Sequence, residues 1–178
     1  MPHATTHILV PLIAAELFRD YSVKKKFPLH YVLIAGIAGI LPDLDIPVSW
    51  LFNAFGAVIN TGVFHRTITH TLLFFAFFLL LALMFSKTKI KFLSKHKLTL
   101  AGICLAISFG VFTHLLLDAI IAGSIMPFYP FSEFALGVNL IGTLSPFLTE
   151  TILSGIDAII LIAWLIHEEI RHKISGFY

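Results

Sequence analysis

Long apolar stretches separated by short charged segments limit the folds open to this chain more than any other feature. One of them, residues 67–85, contains the run LLFFAFFLLLALMF. Hydrophobic residues make up 58% of the 178 residues and charged residues 12%, about half the charged fraction of a soluble domain. So few polar groups cannot cover a soluble domain. The pattern predicts an all-α integral membrane bundle and argues against a soluble enzyme, a disordered chain or a nucleic-acid-binding protein.

Five apolar segments predict one transmembrane domain over residues 1–178. They are residues 5–18, 29–41, 67–85, 98–122 and 147–167. A helix needs about 20 residues to cross the hydrocarbon core, so the first segment is short and the expected number of spans is four to five. Residues 48–59 predict a re-entrant or interfacial piece. Residues 123–146, with three prolines and three glycines, predict a structured loop.

The basic residues predict an orientation for this bundle. Eleven of the twelve Lys and Arg lie in residues 19–26, 87–97 and 171–173. A path with five crossings puts these three groups on one side, and basic residues accumulate in cytoplasmic loops. We therefore expect a multi-pass cell-membrane protein with an outward N-terminus and a cytoplasmic C-terminus. The sequence leaves open whether the first segment crosses.

Several histidines and aspartates fall at the segment ends opposite the basic groups, which predicts a metal site at one membrane face, the extracytoplasmic one. THLLLD places His and Asp four residues apart, on one face of a helix. LPDLD places two carboxylates around one residue in a turn, and HRTITH supplies two histidines. The candidate metal ligands are His7, Asp43, Asp45, His65, His70, His114 and Asp118.

These residue types are the ligands of hydrolytic zinc sites, which keep one coordination position open. A catalytic zinc takes about three protein ligands, so the set predicts one or two divalent ions. Zn²⁺ is the first expectation, and mixed nitrogen and oxygen ligation also suits Mn²⁺ or Fe²⁺. Arg66 and Asp43 are the candidate catalytic residues: Arg66 would stabilise a phosphoryl charge, unless it is an interfacial arginine. Which aspartate acts as a general base, if any does, stays open.

Other polar residues receive different interpretations. Glu150 and Asp157 lie seven residues apart on one face of the last segment, where an unpaired charge is costly. We expect them to orient a ligand histidine or to make a helix–helix hydrogen bond. His3 is interpreted as part of a disordered terminus, and His167 and His172 as solvated residues of a polar tail.

The order of these motifs resembles a known family. TTH, LPDLD, HRTITHT, and THLLLD followed by PFYPF are similar to motifs of membrane-bound metal-dependent hydrolases of the LexA-regulated YdjM type, over nearly the whole chain. The resemblance implies an integral membrane protein with a metal site and assigns the seven candidate ligands as functional positions. The family's HRGxTHS box has Thr67 and Thr71 here. A looser likeness, to all-helical zinc-dependent phospholipases C, is an analogy only.

Three functions are compatible with this pattern. The leading prediction is a hydrolase that uses metal-activated water on a phosphoester or ester of a lipid or lipid-linked substrate. A transporter or channel for metal ions or protons is the second, and it needs polar residues that continue across the membrane. The third is a noncatalytic membrane protein with a structural metal site, which would have a closed coordination shell.

Overall fold

The described residues form helices, and a long irregular loop joins the last two of them. The computed structural model describes residues 2–23, 27–60, 65, 67–121 and 123–174. Its helices are α1 (Ala4–Leu17), α2 (Leu29–Ala38), α3 (Asp45–Ala54), α4 (Leu72–Met84), α5 (Lys91–Lys95), α6 (Leu100–Ile120) and α7 (Pro146–His172). A π-helical turn, Phe18–Ser22, extends α1, and 3₁₀ turns, Pro42–Leu44 and Ile68–His70, precede α3 and α4.

Two of these helices, α6 and α7, are long and apolar enough to cross a membrane. The α2 helix and Pro42–Ala54 form a third candidate, a broken span or a re-entrant loop, because they meet at a bend of 48°. The described residues therefore contain two or three candidate spans, fewer than the four to five expected. The difference comes from α1 and α4, which have 14 and 13 residues and are each only about 20 Å long.

The predicted span at residues 67–85 forms a regular helix only from Leu72 onward. Thr71 begins this helix as its N-cap, since its hydroxyl accepts a hydrogen bond from the amide of Phe74 at 3.3 Å. The residues before it make the 3₁₀ turn that places His70 in the interior. Hydropathy alone does not separate these two parts, because the turn is set by what His70 packs against.

The last helix is longer than its apolar segment predicts. α7 continues through the charged residues to His172 and ends where Lys173 adopts a left-handed conformation, with φ of 51°. The interpretation of His167 and His172 as solvated tail residues is therefore wrong, because both lie on this helix within reach of the end of α1. Residues 123–146 form an irregular loop in which Ile125 and Leu136 pair in a single β-bridge.

Close helix packing at two glycines builds the frame of the site. A Cβ atom at Gly39, just after α2, would overlap the carbonyl oxygen of His7 in α1. A Cβ atom at Gly110 in α6 would overlap the carbonyl oxygen of Ala35 in α2. These contacts hold α1, α2 and α6 together, and α4 packs on α6. By contrast, α7 buries only Leu153.

Candidate metal centre

All seven predicted ligands meet at one end of the helical bundle. They come from five separate parts of the chain: α1, the turn after α2, the start of α3, the segment before α4, and α6. We call this group the histidine cluster, and its members are His7, Asp43, Asp45, His65, His70, His114 and Asp118. The convergence of distant segments at the end opposite the basic groups was predicted from the sequence.

The first half of the cluster consists of His7, His114 and Asp118, whose side chains are fully buried. His114 and Asp118 lie one turn apart on α6, with 3.5 Å between Nε2 and Oδ2. The His7 ring stacks on the His114 ring at a centroid distance of 3.9 Å, and its Nε2 lies 3.5 Å from the other oxygen of Asp118. The three residues can offer one ligand atom each to a single ion.

The second half consists of Asp43, His65 and His70, which can also offer one ligand atom each. Asp45 has a different place, because both of its oxygens accept hydrogen bonds. Oδ1 accepts from Nδ1 of His65 at 2.8 Å, and Oδ2 accepts from the hydroxyl of Thr69 at 2.9 Å. Asp45 was predicted as a ligand, and its contacts with His65 and Thr69 are those expected of a residue that orients a metal-binding histidine.

The hydrogen bonds fix which nitrogen of each ring carries the proton. Nδ1 of His114 lies 2.7 Å from the carbonyl oxygen of Gly39, which can only accept. The Thr69 hydroxyl donates its only proton to Asp45, so its oxygen accepts the hydrogen bond from Nδ1 of His70 at 3.1 Å. His65 likewise uses Nδ1 to donate to Asp45. In the neutral ring the other nitrogen is an acceptor, and therefore all three Nε2 atoms present lone pairs.

These lone pairs face one another and the carboxylates. Nε2 of His70 lies 3.1 Å from Nε2 of His114 and 3.3 Å from Oδ1 of Asp43. Nε2 of His114 lies 3.6 Å from the same Asp43 oxygen and 3.5 Å from Asp118. Asp43 Oδ1, both Asp118 oxygens and Nε2 of His65 have no hydrogen-bond partner. Burying an acceptor without a donor costs free energy, and a bound cation would offset that cost for these atoms.

The distances also suit a zinc-sized ion. Bonds of about 2.0–2.1 Å from Zn²⁺ to nitrogen and oxygen imply edges of about 3.4 Å between tetrahedral ligands. The separations above scatter around that value. Burial lowers the pKa of His70 below its usual 6.5, an effect that outweighs the attraction of the nearby Asp43 carboxylate for the charged ring. The residues present therefore fit a divalent metal, in the neutral histidine form that such a metal requires.

One side of the cluster is less buried than the other. The side chains of Asp43 and His65 are 23% and 11% exposed, whereas His7, His70, His114 and Asp118 are fully buried. The half that contains Asp43 and His65 thus borders the surface, which an open coordination position requires. Arg66, the predicted phosphoryl-binding residue, lies outside the described residues.

Glu150 and Asp157, predicted to orient a ligand or to make a helix–helix hydrogen bond, contact His3 and Thr6, and the bond from Thr6 in α1 to Asp157 in α7 is of the second kind. Nδ1 of His3 lies 2.8 Å from Asp157 and Nε2 lies 3.0 Å from Glu150. The hydroxyl of Thr6 donates to the other Asp157 oxygen. His3 is therefore ordered, contrary to the expectation of a disordered terminus, and these contacts fasten the start of α1 to α7.

An apolar groove at the other end of α1 is separate from the histidine cluster. Its volume is about 680 Å³, and its walls include Ala14, Phe18, Tyr31 and Gly102. The nearest of these on α1, Ala14, is seven residues from His7, about 10 Å along the helix. The groove is therefore not the cleft beside the candidate metal ligands.

Sequence reasoning missed several residues that matter here. Thr69 and the carbonyl group of Gly39 set the histidine tautomers, and only Thr69 has a sequence signal, as part of HRTITH. A second group of His, Asp and Glu side chains, at the far ends of α1 and α7, was also missed. Its signal was present, because Glu16 with Asp20 and Glu168 with His172 repeat the four-residue spacing of THLLLD.

The fold and the site together define a class, that of helical membrane proteins with a buried histidine and carboxylate cluster suited to divalent metals. The family model described as YdjM inner membrane protein matches residues 1–175. The chain therefore belongs to that family, as its motifs indicated. No match to this chain was found among curated proteins or among solved structures.

Proposed function

We propose that the chain is a metal-dependent hydrolase of the membrane, acting on a phosphoester or ester bond in a lipid or lipid-linked molecule. The observation that carries the proposal is the set of buried ligand-type atoms in the histidine cluster that have no hydrogen-bond partner among the described residues, namely Oδ1 of Asp43, Nε2 of His65 and both oxygens of Asp118. Two ligand groups that adjoin through His70 and His114 fit one ion or a pair of ions.

A divalent ion at this place supplies Lewis acidity and lowers the pKa of the water that it binds. The chain's own residues have separate tasks around it. The Nε2 atoms of His65, His70 and His114 would serve as metal ligands, while Asp45, Thr69 and the carbonyl of Gly39 keep those nitrogens aimed inward. Asp43 has the most exposed carboxylate of the cluster, so it can accept a proton from water on the open side.

The surroundings of the open side support an amphiphilic substrate. α3 begins at Asp45 and carries exposed Trp50, Leu51 and Phe52. Phe55, directly after this helix, is 83% exposed. Apolar side chains next to a polar site suit a substrate with one apolar and one polar part. In the proposed mechanism Arg66, next to His65 in sequence, stabilises the phosphoryl charge.

The apolar middle of α1 argues against the transport alternative. Residues 8–15 lie between His7 and Glu16, and all of them are apolar. That interval is about 14 Å long, so α1 has no side chain between these two residues that could bind an ion in passage. The structural-site alternative needs a closed coordination shell, which the partly exposed side chain of Asp43 does not favour.

From the position of the basic groups in the sequence we also propose that the histidine cluster faces the extracytoplasmic side and that the C-terminus is cytoplasmic.

The test combines metal content with hydrolysis by the purified protein in detergent. We expect bound Zn²⁺, Mn²⁺ or Fe²⁺ that an Asp43→Asn, His114→Gln double variant loses. The metal-loaded protein should hydrolyse bis(4-nitrophenyl) phosphate, 4-nitrophenyl butyrate or phosphatidylglycerol in mixed micelles. Asp43→Asn alone should lower the rate by about 100-fold.

The matched control is Glu133→Gln, because Glu133 is an exposed carboxylate in the loop after α6. It should retain full activity and metal content. A protein that holds metal in the histidine cluster yet cleaves none of the three substrates would overturn the hydrolase proposal in favour of a structural site. Equal metal content in the double variant and the parent would contradict the ligand assignment.

A further inference from the structure

A second group of ligand-type side chains lies where α1 and α7 end together. We call it the α1–α7 cluster, and its members are Glu16, Asp20, His167, Glu168 and His172. Along α1 it begins nine residues after His7, about 14 Å from the histidine cluster. Arg19 and Arg171 belong to the same end of the molecule, so this is the basic end.

Three atoms in this cluster are buried and have no hydrogen-bond partner: Oδ2 of Asp20, Nε2 of His167 and Nε2 of His172. The side chain of Asp20 is fully buried. Its free oxygen lies 3.3 Å from Nε2 of His172 and 3.8 Å from Nε2 of His167. Neither pair has hydrogen-bond geometry. A carboxylate oxygen aimed between two imidazole nitrogens in this way is an arrangement that suits the binding of a metal ion.

The other nitrogen of His172 makes the same outer contact that orients the ligands of the histidine cluster. Nδ1 of His172 donates to the carboxylate of Glu168 at 3.1 Å. In the neutral ring Nε2 is then an acceptor, as it is in His65 beside Asp45. Carboxylate–histidine pairs of this kind are the usual second contact of a metal-bound imidazole.

We propose that Asp20, His167 and His172 bind a divalent transition-metal ion, with Glu168 orienting His172. Two histidines and one carboxylate suit Zn²⁺, Mn²⁺ or Fe²⁺. Glu16 supplies a further carboxylate, because one of its oxygens lies within 4.8 Å of ligand atoms of Glu168 and His172. The role of this ion is to clamp α7 to α1. Since α7 buries only Leu153, its attachment depends on such polar contacts.

Trp164 provides a local probe of this site. Its indole Nε1 donates to Glu16 at 2.7 Å, so the ring lies beside the proposed ion. The chain has two tryptophans, and Trp50→Phe leaves Trp164 as the single emitter. Asp43→Asn with His114→Gln disables the histidine cluster. Titration of this triple variant with Co²⁺ should quench Trp164 fluorescence and saturate at one equivalent, because paramagnetic Co²⁺ quenches nearby indoles.

Adding Asp20→Asn and His172→Gln should raise the Co²⁺ concentration for half-quenching at least tenfold, whereas the matched control His30→Gln should leave it unchanged. Saturable quenching that survives both substitutions, or none in the parent, would overturn the proposal and leave His172 as a protonated partner of Asp20 and Glu168. If the triple variant fails to fold, Trp50→Phe alone is titrated. His172→Gln should then remove the Trp164 quenching without lowering the metal content of the histidine cluster.

Discussion

The histidine cluster and the α1–α7 cluster lie at opposite ends of α1 and use the same kinds of side chain, but they are held in different ways. In the histidine cluster, the ring protons of His114 and His65 go to the carbonyl of Gly39 and to Asp45, and no donor of the described residues reaches Oδ1 of Asp43 or either oxygen of Asp118. In the α1–α7 cluster, donors reach the carboxylates themselves: Arg19 bonds to Asp20 and Trp164 bonds to Glu16. The histidine cluster is therefore arranged to bind a cation alone. In the α1–α7 cluster, these donors compete with a cation for the carboxylates. The histidine cluster should therefore bind metal more tightly.

The largest effect that separates the two clusters should follow substitution of Gly39. Gly39→Ala puts a methyl group against the carbonyl oxygen of His7 and displaces the carbonyl that holds His114. Overpacking of this kind costs about 3 kcal/mol. We expect a clear fall in the thermal unfolding temperature and loss of metal from the histidine cluster, measured by elemental analysis.

Gly155→Ala is the matched control for that substitution. Gly155 lies inside α7, and a Cβ atom there would meet nothing within 4 Å. Replacing an unhindered helical glycine stabilises by about 0.5–1 kcal/mol, so this variant should unfold at a slightly higher temperature. Equal stability of the two glycine variants would contradict the close packing of α1 on α2.

The same comparison explains what the sequence could and could not predict. The histidine cluster was predictable because its ligands fall in local motifs, LPDLD, HRTITH and THLLLD, at segment ends opposite the basic groups. α6 was also predicted to within two residues, since 98–122 is apolar and Thr99 caps the helix by accepting from the amide of Gly102. The role of Asp45 was not predictable, because only tertiary packing decides whether its carboxylate meets an ion or an imidazole.

The α1–α7 cluster and the start of α4 were missed for related reasons. Asp20 and His172 stand near opposite ends of the chain, so no local pattern joins them. The charged residues of α7 also have the composition of a solvated tail, and their helical continuation depends on contacts with α1. At α4, the inward turn at His70 interrupts an apolar segment whose composition shows no break. In each case long-range packing determines the local structure, and it outweighs local composition.

A smaller effect should come from the residue that orients two ligands without binding the ion. Asp45→Asn replaces an oxygen acceptor of the His65 and Thr69 hydrogen bonds by an amide. Loss of such outer contacts lowers metal affinity by about 10–100-fold. A competition titration with a Zn²⁺ chelator should show this loss in the histidine cluster, with Co²⁺ quenching of Trp164 unchanged.

Glu168→Gln is the counterpart of that change in the α1–α7 cluster, because Glu168 accepts from His172. It should weaken Co²⁺ quenching of Trp164 and leave the chelator competition of the histidine cluster as in the parent. A substitution that weakens both sites equally would mean that the two clusters are not independent.

The smallest effect concerns the polar contact that fastens the other end of α7 to α1. The hydrogen bonds of His3 with Glu150 and then Asp157 raise its pKa above 6.5. A group with a raised folded pKa stabilises the protein fully below the unfolded pKa, and this contribution is lost as pH rises through the folded pKa. Because His3 is 30% exposed, the contribution is at most about 1 kcal/mol.

His3→Ala should therefore lower the unfolding temperature more at pH 6 than at pH 9, measured with chelator present so that metal does not contribute. The control His96→Ala, at an exposed position between α5 and α6, should show no such difference between the two pH values. A penalty for His3→Ala that is constant or grows with pH would mean that the neutral ring suffices for the contact. The attachment of α7 to α1 would then rest on the charged contacts at the other end of α7, which include those of the α1–α7 cluster and of Arg171 with Tyr21.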